Sequence, residues 1–257
     1  MSEFISSEER QTSILALLAR QGRLSVAGIV EQFRVSEATA RRDLETLAEQ
    51  GKLQRVHGGA LSIKQAPPEA PLLQREQEQF FEKQRMGQAA AALVQEGETI
   101  FLGSGTTVLE VARNLRSRQN LTVITNSLPV MNTLSGLPGI NLIALGGMMR
   151  SSEMSFIGHI TEQALAEVRA DKVIIGVHAI SLENGLTNDY LPETMTDRAI
   201  LKAGREVIVV ADHTKINAVA TAFLAPITSI QTLVTDQDAP ADFLAALRQA
   251  GISVHQS

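Results

Sequence analysis

From residue 99 to the C-terminus one pattern recurs: a short, nearly unbroken apolar run, a polar or glycine-bearing step, then a stretch with helical spacing. The runs are TIFLG (99–103), LTVIT (121–125), INLIALGG (140–147), KVIIGV (172–177), EVIVVAD (206–212), TLVTD (232–236) and ISVH (252–255). Helix-like segments at 108–115, 161–168 and 239–249 fall between them. Strands that are apolar on both faces must be covered on both faces, and a helix between successive strands makes parallel pairing the natural connection. The fold class expected for this part is α/β, with a largely parallel sheet between two layers of helix.

The first third of the chain reads differently. Ser6-Ser7-Glu8-Glu9 has the layout of a capping box, followed by Ile14, Leu15, Leu17 and Leu18 on one helical face and a stop at Gln21-Gly22. Leu24, Val26, Ile29, Val30 and Phe33 mark a second short helix with Ser25 as its N-cap. Ser36 caps a third, whose inward face is Ala40, Leu44 and Leu47 and which stops at Gln50-Gly51. Three short helices with a tight break between the second and third describe a helix-turn-helix. KLQRVHGGALSI (52–63) alternates around a Gly-Gly step, as a β-wing would. QAPPEAPLLQ (65–74) carries prolines that break regular structure, so it reads as a linker. The expected organisation is a winged helix-turn-helix over 6–62, a linker over 63–74 and an α/β domain over 75–257, which opens with a helix from Arg75 to about Gln95.

The net charge of −5 would argue against nucleic acid if it were evenly spread. It is not. Residues 1–64 hold 9 Lys and Arg against 8 Asp and Glu, and the remainder holds 14 against 20. The adjacent pair Arg41-Arg42 stands in the first turns of the third helix, beside Glu37, Ala38 and Thr39. Those turns of a recognition helix enter the major groove. Neighbours on a helix point about 100° apart, so one arginine can reach base edges while the other turns to the phosphates. An arginine pair on a solvated helix face, bonded to Asp43, Glu45 or Glu49, is the alternative; the helix-turn-helix spacing and the wing favour DNA. Ser25, Ser36, Arg55, His57 and Gly58 complete the candidate DNA contacts. With five scattered histidines (57, 159, 178, 213 and 255) in no metal-ligand spacing, His57 is expected to meet phosphate, and no metal or cofactor is expected. The absence of cysteine excludes disulfides and thiol chemistry. No signal peptide and no apolar run long enough to span a membrane are evident, so a soluble, cytoplasmic protein is expected.

Gly103-Ser104-Gly105-Thr106-Thr107 follows a strand and opens a helix. Small residues let backbone amides approach an anion, and threonine hydroxyls add donors. The same residues also make an ordinary strand-to-helix turn. Asn126-Ser127, Gly146-Gly147 and 212–215, with Asp212 and Lys215, follow other strands, and strand ends in an open parallel sheet converge on a ligand crevice. His178 stands either against ligand or in the core. Glu193 and Asp197, in a helical segment, suit the binding of hydroxyls.

The VS-x-x-T-x-RRDL core (35–44) and the Gly51…Arg55-Val56-His57-Gly58-Gly59-Ala60 wing resemble the DNA-binding domain of the DeoR family of bacterial sugar-metabolism repressors. Residues 75–255 are similar to that family's effector domain, related in fold to ribose-5-phosphate isomerase and coenzyme A transferases. The resemblance implies a repressor of a carbohydrate operon that binds operator DNA as a homo-oligomer, dimer or tetramer, and responds to a phosphorylated sugar held at the GSGTT loop. Three departures stand out: Ala40 in place of a branched aliphatic, Gly28 inside the second helix, and Gly103 where an aspartate is frequent. Isomerases of this fold carry an Asp-Gly-Ala-Asp-Glu run where this chain reads Gly176-Val177-His178-Ala179-Ile180, so no catalytic residue is assigned. A phosphosugar isomerase or transferase with an accessory DNA-binding head is the alternative function, and a sensor whose helix-turn-helix contacts protein is a weaker one.

Overall fold

The computed structural model describes residues 6–56, 58–62 and 64–257. The chain divides into two compact units, Met1–Gln65 and Ala66–Ser257.

In the first unit, helices Ser7–Gln21, Val26–Phe33 and Glu37–Glu49 pack with a three-stranded antiparallel sheet, ordered Arg23–Ser25, Gly59–Ser62, Leu53–Val56. Each helix begins where a serine hydroxyl can accept an otherwise unbonded first-turn amide. Ser6 forms the full capping box with Glu9, Ser25 accepts from the Gly28 amide at 3.0 Å, and Ser36 accepts from the Thr39 amide at 3.1 Å. Arg34, with φ 53°, makes the break between the second and third helices. Ile14, Leu18, Ile29, Ala40, Leu44, Leu47 and Leu53 form the core. Two of the departures thus have local explanations. Ala40 is fully enclosed where the helices meet, and a Cβ on Gly28 would stand 3.2 Å from the capping Ser25 Oγ. His57 lies outside the described residues.

The second unit is built on seven parallel strands in the order Ser253–Gln256, Thr232–Thr235, Gly204–Val210, Ala170–Gly176, Thr99–Leu102, Leu121–Thr125, Ile140–Ala144. The seven apolar runs are these seven strands, and separate apolar clusters cover the two faces. The strand order reverses between Thr99–Leu102 and Ala170–Gly176: the next two strands in sequence add on one side, and all later ones on the other. Three features differ from expectation. The helix expected from Arg75 is two helices, Leu72–Arg75 and Phe80–Ala92, because Gln79 takes a left-handed conformation at φ 48°. Residues 66–74, read as linker, belong to the second compact unit. A hairpin of Met148–Arg150 with Ser155–Ile157, and a small sheet of Ala179–Ser181, Gly185–Asn188 and Ala222–Ala225, extend beyond the main sheet. No helix among the described residues is long and apolar enough to cross a membrane.

Candidate functional site

In the first unit, the helix Glu37–Glu49 carries the arginine pair with its two members in different states. The Arg41 guanidinium is bonded to Glu37 Oε1 one turn earlier, its Nε at 3.1 Å, and its carbonyl accepts from Arg55 Nη1 at 3.5 Å. Arg42 is exposed, with no ion-pair partner among the described residues. None of Asp43, Glu45 and Glu49 pairs with either arginine. Asp43 is buried and bonded to Arg10, which leaves the outward face of the helix to Arg42, Ala38 and Thr39. Gly58, at φ 80°, turns the wing and accepts from the Val26 amide through its carbonyl.

In the second unit a cavity of about 250 Å³ opens at the sheet's C-terminal edge, where the strand order reverses. This is the position at which open parallel sheets bind ligands, because connections leave in opposite directions there and part. Three neighbouring strands supply its floor: Gly103–Thr107, Gly176–His178 and 210–215. Asn126, Ser127, Gly146 and Gly147 do not line it, since their strands lie beyond the reversal. They hold structure instead. Asn126 Nδ2 donates to the Phe156 carbonyl at 2.9 Å, the Ser127 amide to Thr125 Oγ1 at 3.0 Å, and the Gly146 carbonyl accepts from Thr161 Oγ1 at 2.9 Å. A Cβ on Gly147 would come within 2.1 Å of Thr161 Oγ1, which is why the position is glycine.

At the GSGTT loop, Gly105 has φ 109° and ψ 156°, a conformation open to glycine, and it opens the ten-residue helix Thr106–Leu115. No side chain caps that helix, so its first amides and positive end face the cavity beside the buried Thr106 and Thr107. Opposite stands Lys83, buried, its Nζ donating to the Arg75 carbonyl at 2.6 Å. No carboxylate among the described residues lies within ion-pair distance of it. Burial pushes its ammonium below the usual lysine range, with Asp212 pulling the other way.

The other charges of the wall are knitted together. Glu69 Oε1 accepts from Arg75 Nη1 at 2.7 Å and Lys215 Nζ at 3.2 Å, and Arg75 Nη2 grips both oxygens of Glu153 at 2.5 and 2.6 Å. Burial pushes the Glu69 carboxyl up, yet His178, Lys215 and Arg75 together hold it at about 2. Burial pushes the Glu153 carboxyl up despite Arg75. Glu193 is bonded by Arg150, whose guanidinium also lies 4.6 Å from the Tyr190 ring centre. Asp212 Oδ1 caps its own loop, accepting from the Thr214 amide at 2.9 Å. Asp197 accepts from Asn188 Nδ2 at 2.8 Å and forms no ion pair among the described residues; burial pushes it up to about 7 against the pull of Asn188 and Arg150. The His178 ring is buried. Its Nδ1 stands 3.2 Å from Glu69 Oε2 in an alignment too poor for a hydrogen bond, and its Nε2 has no hydrogen-bond partner among the described residues.

Of the expected residues, the structure brings together Gly103 to Thr107, His178, Glu193, Asp212 and Lys215. Sequence reasoning missed Glu69, Arg75, Lys83, Glu153 and Asn188. No local signal marks them: Glu69 and Lys215, for example, are 146 residues apart. Folding also gathers Glu69, His178 and Asp189, and Asp212, His213 and Asp236, into groups that sequence spacing could not reveal. Arg75 and Lys215 already neutralise Glu69, and Asp236 Oδ2 is taken up by the His213 amide and ring, so neither group is assigned a metal.

Comparison with known proteins matches both units. The family model for the DeoR-like helix-turn-helix domain covers residues 10–66, and that for the DeoR C terminal sensor domain covers residues 78–237. The chain is 36% identical to the transcriptional repressor AccR of Agrobacterium fabrum over 91% of each protein. It is 34% identical to the glycerol-3-phosphate regulon repressor of Escherichia coli K12, over 93% of this chain and 94% of that one. Among solved structures, the sorbitol operon regulator SorC from Klebsiella pneumoniae aligns with 95% of the chain and 99% of its own, at 13% identity and a TM-score of 0.42. With both family domains in order and full-length relatives above 30% identity, the chain belongs to the DeoR family.

Proposed function

We propose that the protein is a DNA-binding repressor of a carbohydrate-catabolism operon, acting as a homo-oligomer and released by a phosphorylated sugar. The first unit reads operator DNA through the helix Glu37–Glu49, with Arg42 free to reach base edges and Arg41, its guanidinium tied to Glu37, left to the phosphates. Helix-turn-helix proteins bind paired half-sites, which supports an oligomer. The second unit holds the effector.

The observation that carries the effector reading is the pairing of an uncapped helix N-terminus with Lys83. A buried ammonium with no carboxylate partner is costly unless an anion completes it. Here it shares a small cavity with free first-turn amides and the Thr106 and Thr107 hydroxyls. A phosphate group suits all of these donors. The cavity is smaller than the sites that enclose drug-sized ligands, and it fits a monosaccharide phosphate.

The reading is of a regulator and not an enzyme. The cavity's carboxylates are largely occupied by arginine, lysine and local caps, and none is paired with a partner set for proton transfer. By linkage, an effector that prefers the DNA-free state lowers operator affinity, and DNA lowers effector affinity by the same factor.

The test is gel-shift binding to the DNA upstream of the protein's own gene, with and without a panel of sugar phosphates. Release by one phosphate ester and not by its unphosphorylated sugar is the expected outcome. Salt-independent retention of DNA, or turnover of any ester, would sink the reading.

A further inference from the structure

The proposed phosphate end accounts for one side of the cavity. The other side has its own chemistry. Among the lining residues six carboxylates face three Lys and Arg side chains. A phosphate ester would bring roughly 1.5 to 2 further negative charges into the same small space. A ligand whose only charge is its phosphate would deepen that imbalance, whereas one that also carries a positive charge would offset it.

Two side chains say where that charge belongs. Asp197 forms no ion pair among the described residues, Arg150 acting on it only at longer range: Asn188 Nδ2 bonds its Oδ2, and its Oδ1 has no hydrogen-bond partner among the described residues. Arg75, which lines the cavity, and Arg150 are committed to Glu69, Glu153 and Glu193. His178 adds a second, independent mark. Its side chain is 4% exposed, it lines the same cavity, and its Nε2 has no hydrogen-bond partner among the described residues. Leaving a buried ring nitrogen unbonded is costly, and a ligand hydroxyl there would satisfy it.

We infer that the effector is an amino sugar phosphate, its phosphate on the GSGTT loop and Lys83 and its ammonium group on Asp197, with a neighbouring hydroxyl on His178 Nε2. The inference rests on the phosphate reading above and narrows it. Asp197 is thereby a specificity-determining residue. Its carboxylate bonds an ammonium with charge assistance, while a sugar hydroxyl at the same position offers a neutral bond of roughly half the strength.

The full-length protein is titrated calorimetrically with glucosamine 6-phosphate and galactosamine 6-phosphate, with glucose 6-phosphate and galactose 6-phosphate, and with N-acetylglucosamine 6-phosphate. At least one amino ester is expected to bind about tenfold or more tightly than its hydroxyl counterpart and its N-acetyl form, as one charge-assisted bond implies. In Asp197→Asn, which keeps the side-chain shape, that preference is expected to vanish while the hydroxyl ester's affinity changes less than about threefold. Comparison of ligands on the unmodified protein needs no variant to fold. Equal binding of amino and hydroxyl esters, or tighter binding of the N-acetyl form, overturns the inference and leaves the phosphate reading standing. Binding of none of the esters overturns both.

Discussion

Arg10 Nε lies 2.6 Å from Asp43 Oδ2, and its Nη2 lies 3.2 Å from Oδ1, so a two-pronged ion pair ties the first helix to the recognition helix across 33 residues of sequence. Asp43 also accepts from Gln11 Nε2 at 3.1 Å. Burial is the largest influence and works against its charge, but the bonds from Arg10, Gln11 and Ser7 together outweigh it and hold the Asp43 carboxyl below its usual range. The pair sets the pose of the face that carries Arg42.

Asp43→Ala is therefore expected to destabilise the N-terminal unit by about 3–5 kcal/mol, since it strands a largely buried guanidinium. Operator binding should weaken together with helix protection in hydrogen exchange. Unchanged exchange across Ser7–Gln21 and Glu37–Glu49 would remove the pair from any such role.

The two neighbouring arginines should separate in behaviour. Arg42→Ala is expected to cost about 1–3 kcal/mol and to relax base preference at one position of a selected operator. Arg41→Ala should weaken all sequences alike and reduce the salt slope by about one. Competition binding against single-base operator variants at two salt concentrations checks both.

Lys83→Met should lower phosphate-ester affinity about 10- to 100-fold, the worth of a charge-assisted bond. It should leave the melting temperature nearly unchanged, because burial already disfavours the ammonium. A large fall in melting temperature with intact ester binding would make Lys83 structural.

Glu69 predicts a specific acid response. Its carboxyl sits at about 2 in the fold against an ordinary 4.5. A depressed carboxyl stabilises the fold fully above its unfolded value, and that contribution is lost as pH falls from about 4.5 towards 2. The shift corresponds to about 3 kcal/mol. Glu69→Gln should lower stability at neutral pH and flatten the slope in that window. The fluorescence of Tyr190, the one tyrosine of the chain, follows the C-terminal unit selectively.

Gly147→Ala should destabilise the C-terminal unit by about 1–3 kcal/mol through collision with Thr161, without altering effector affinity relative to folded protein. Lost binding at retained stability would return Gly146-Gly147 to the site.

The amino-acid sequence by itself determined whatever depends on neighbours a few residues apart. The serine caps, the three short helices and wing, the seven apolar strands and the glycine-threonine turn all follow from period and from bonds spanning three residues. Only the tertiary structure decided which of those strand ends form a site. Reversal of strand order beside Thr99–Leu102 gathers the GSGTT loop, His178 and 210–215, and sets Asn126-Ser127 and Gly146-Gly147 outside the cavity. The same reversal lets Glu69, Arg75 and Lys83, from the segment read partly as linker, close over those strand ends. The charges of Glu69 and Arg75 are balanced by partners as far as 146 residues away, and pairing at that range is settled by strand order and burial, which no local pattern records.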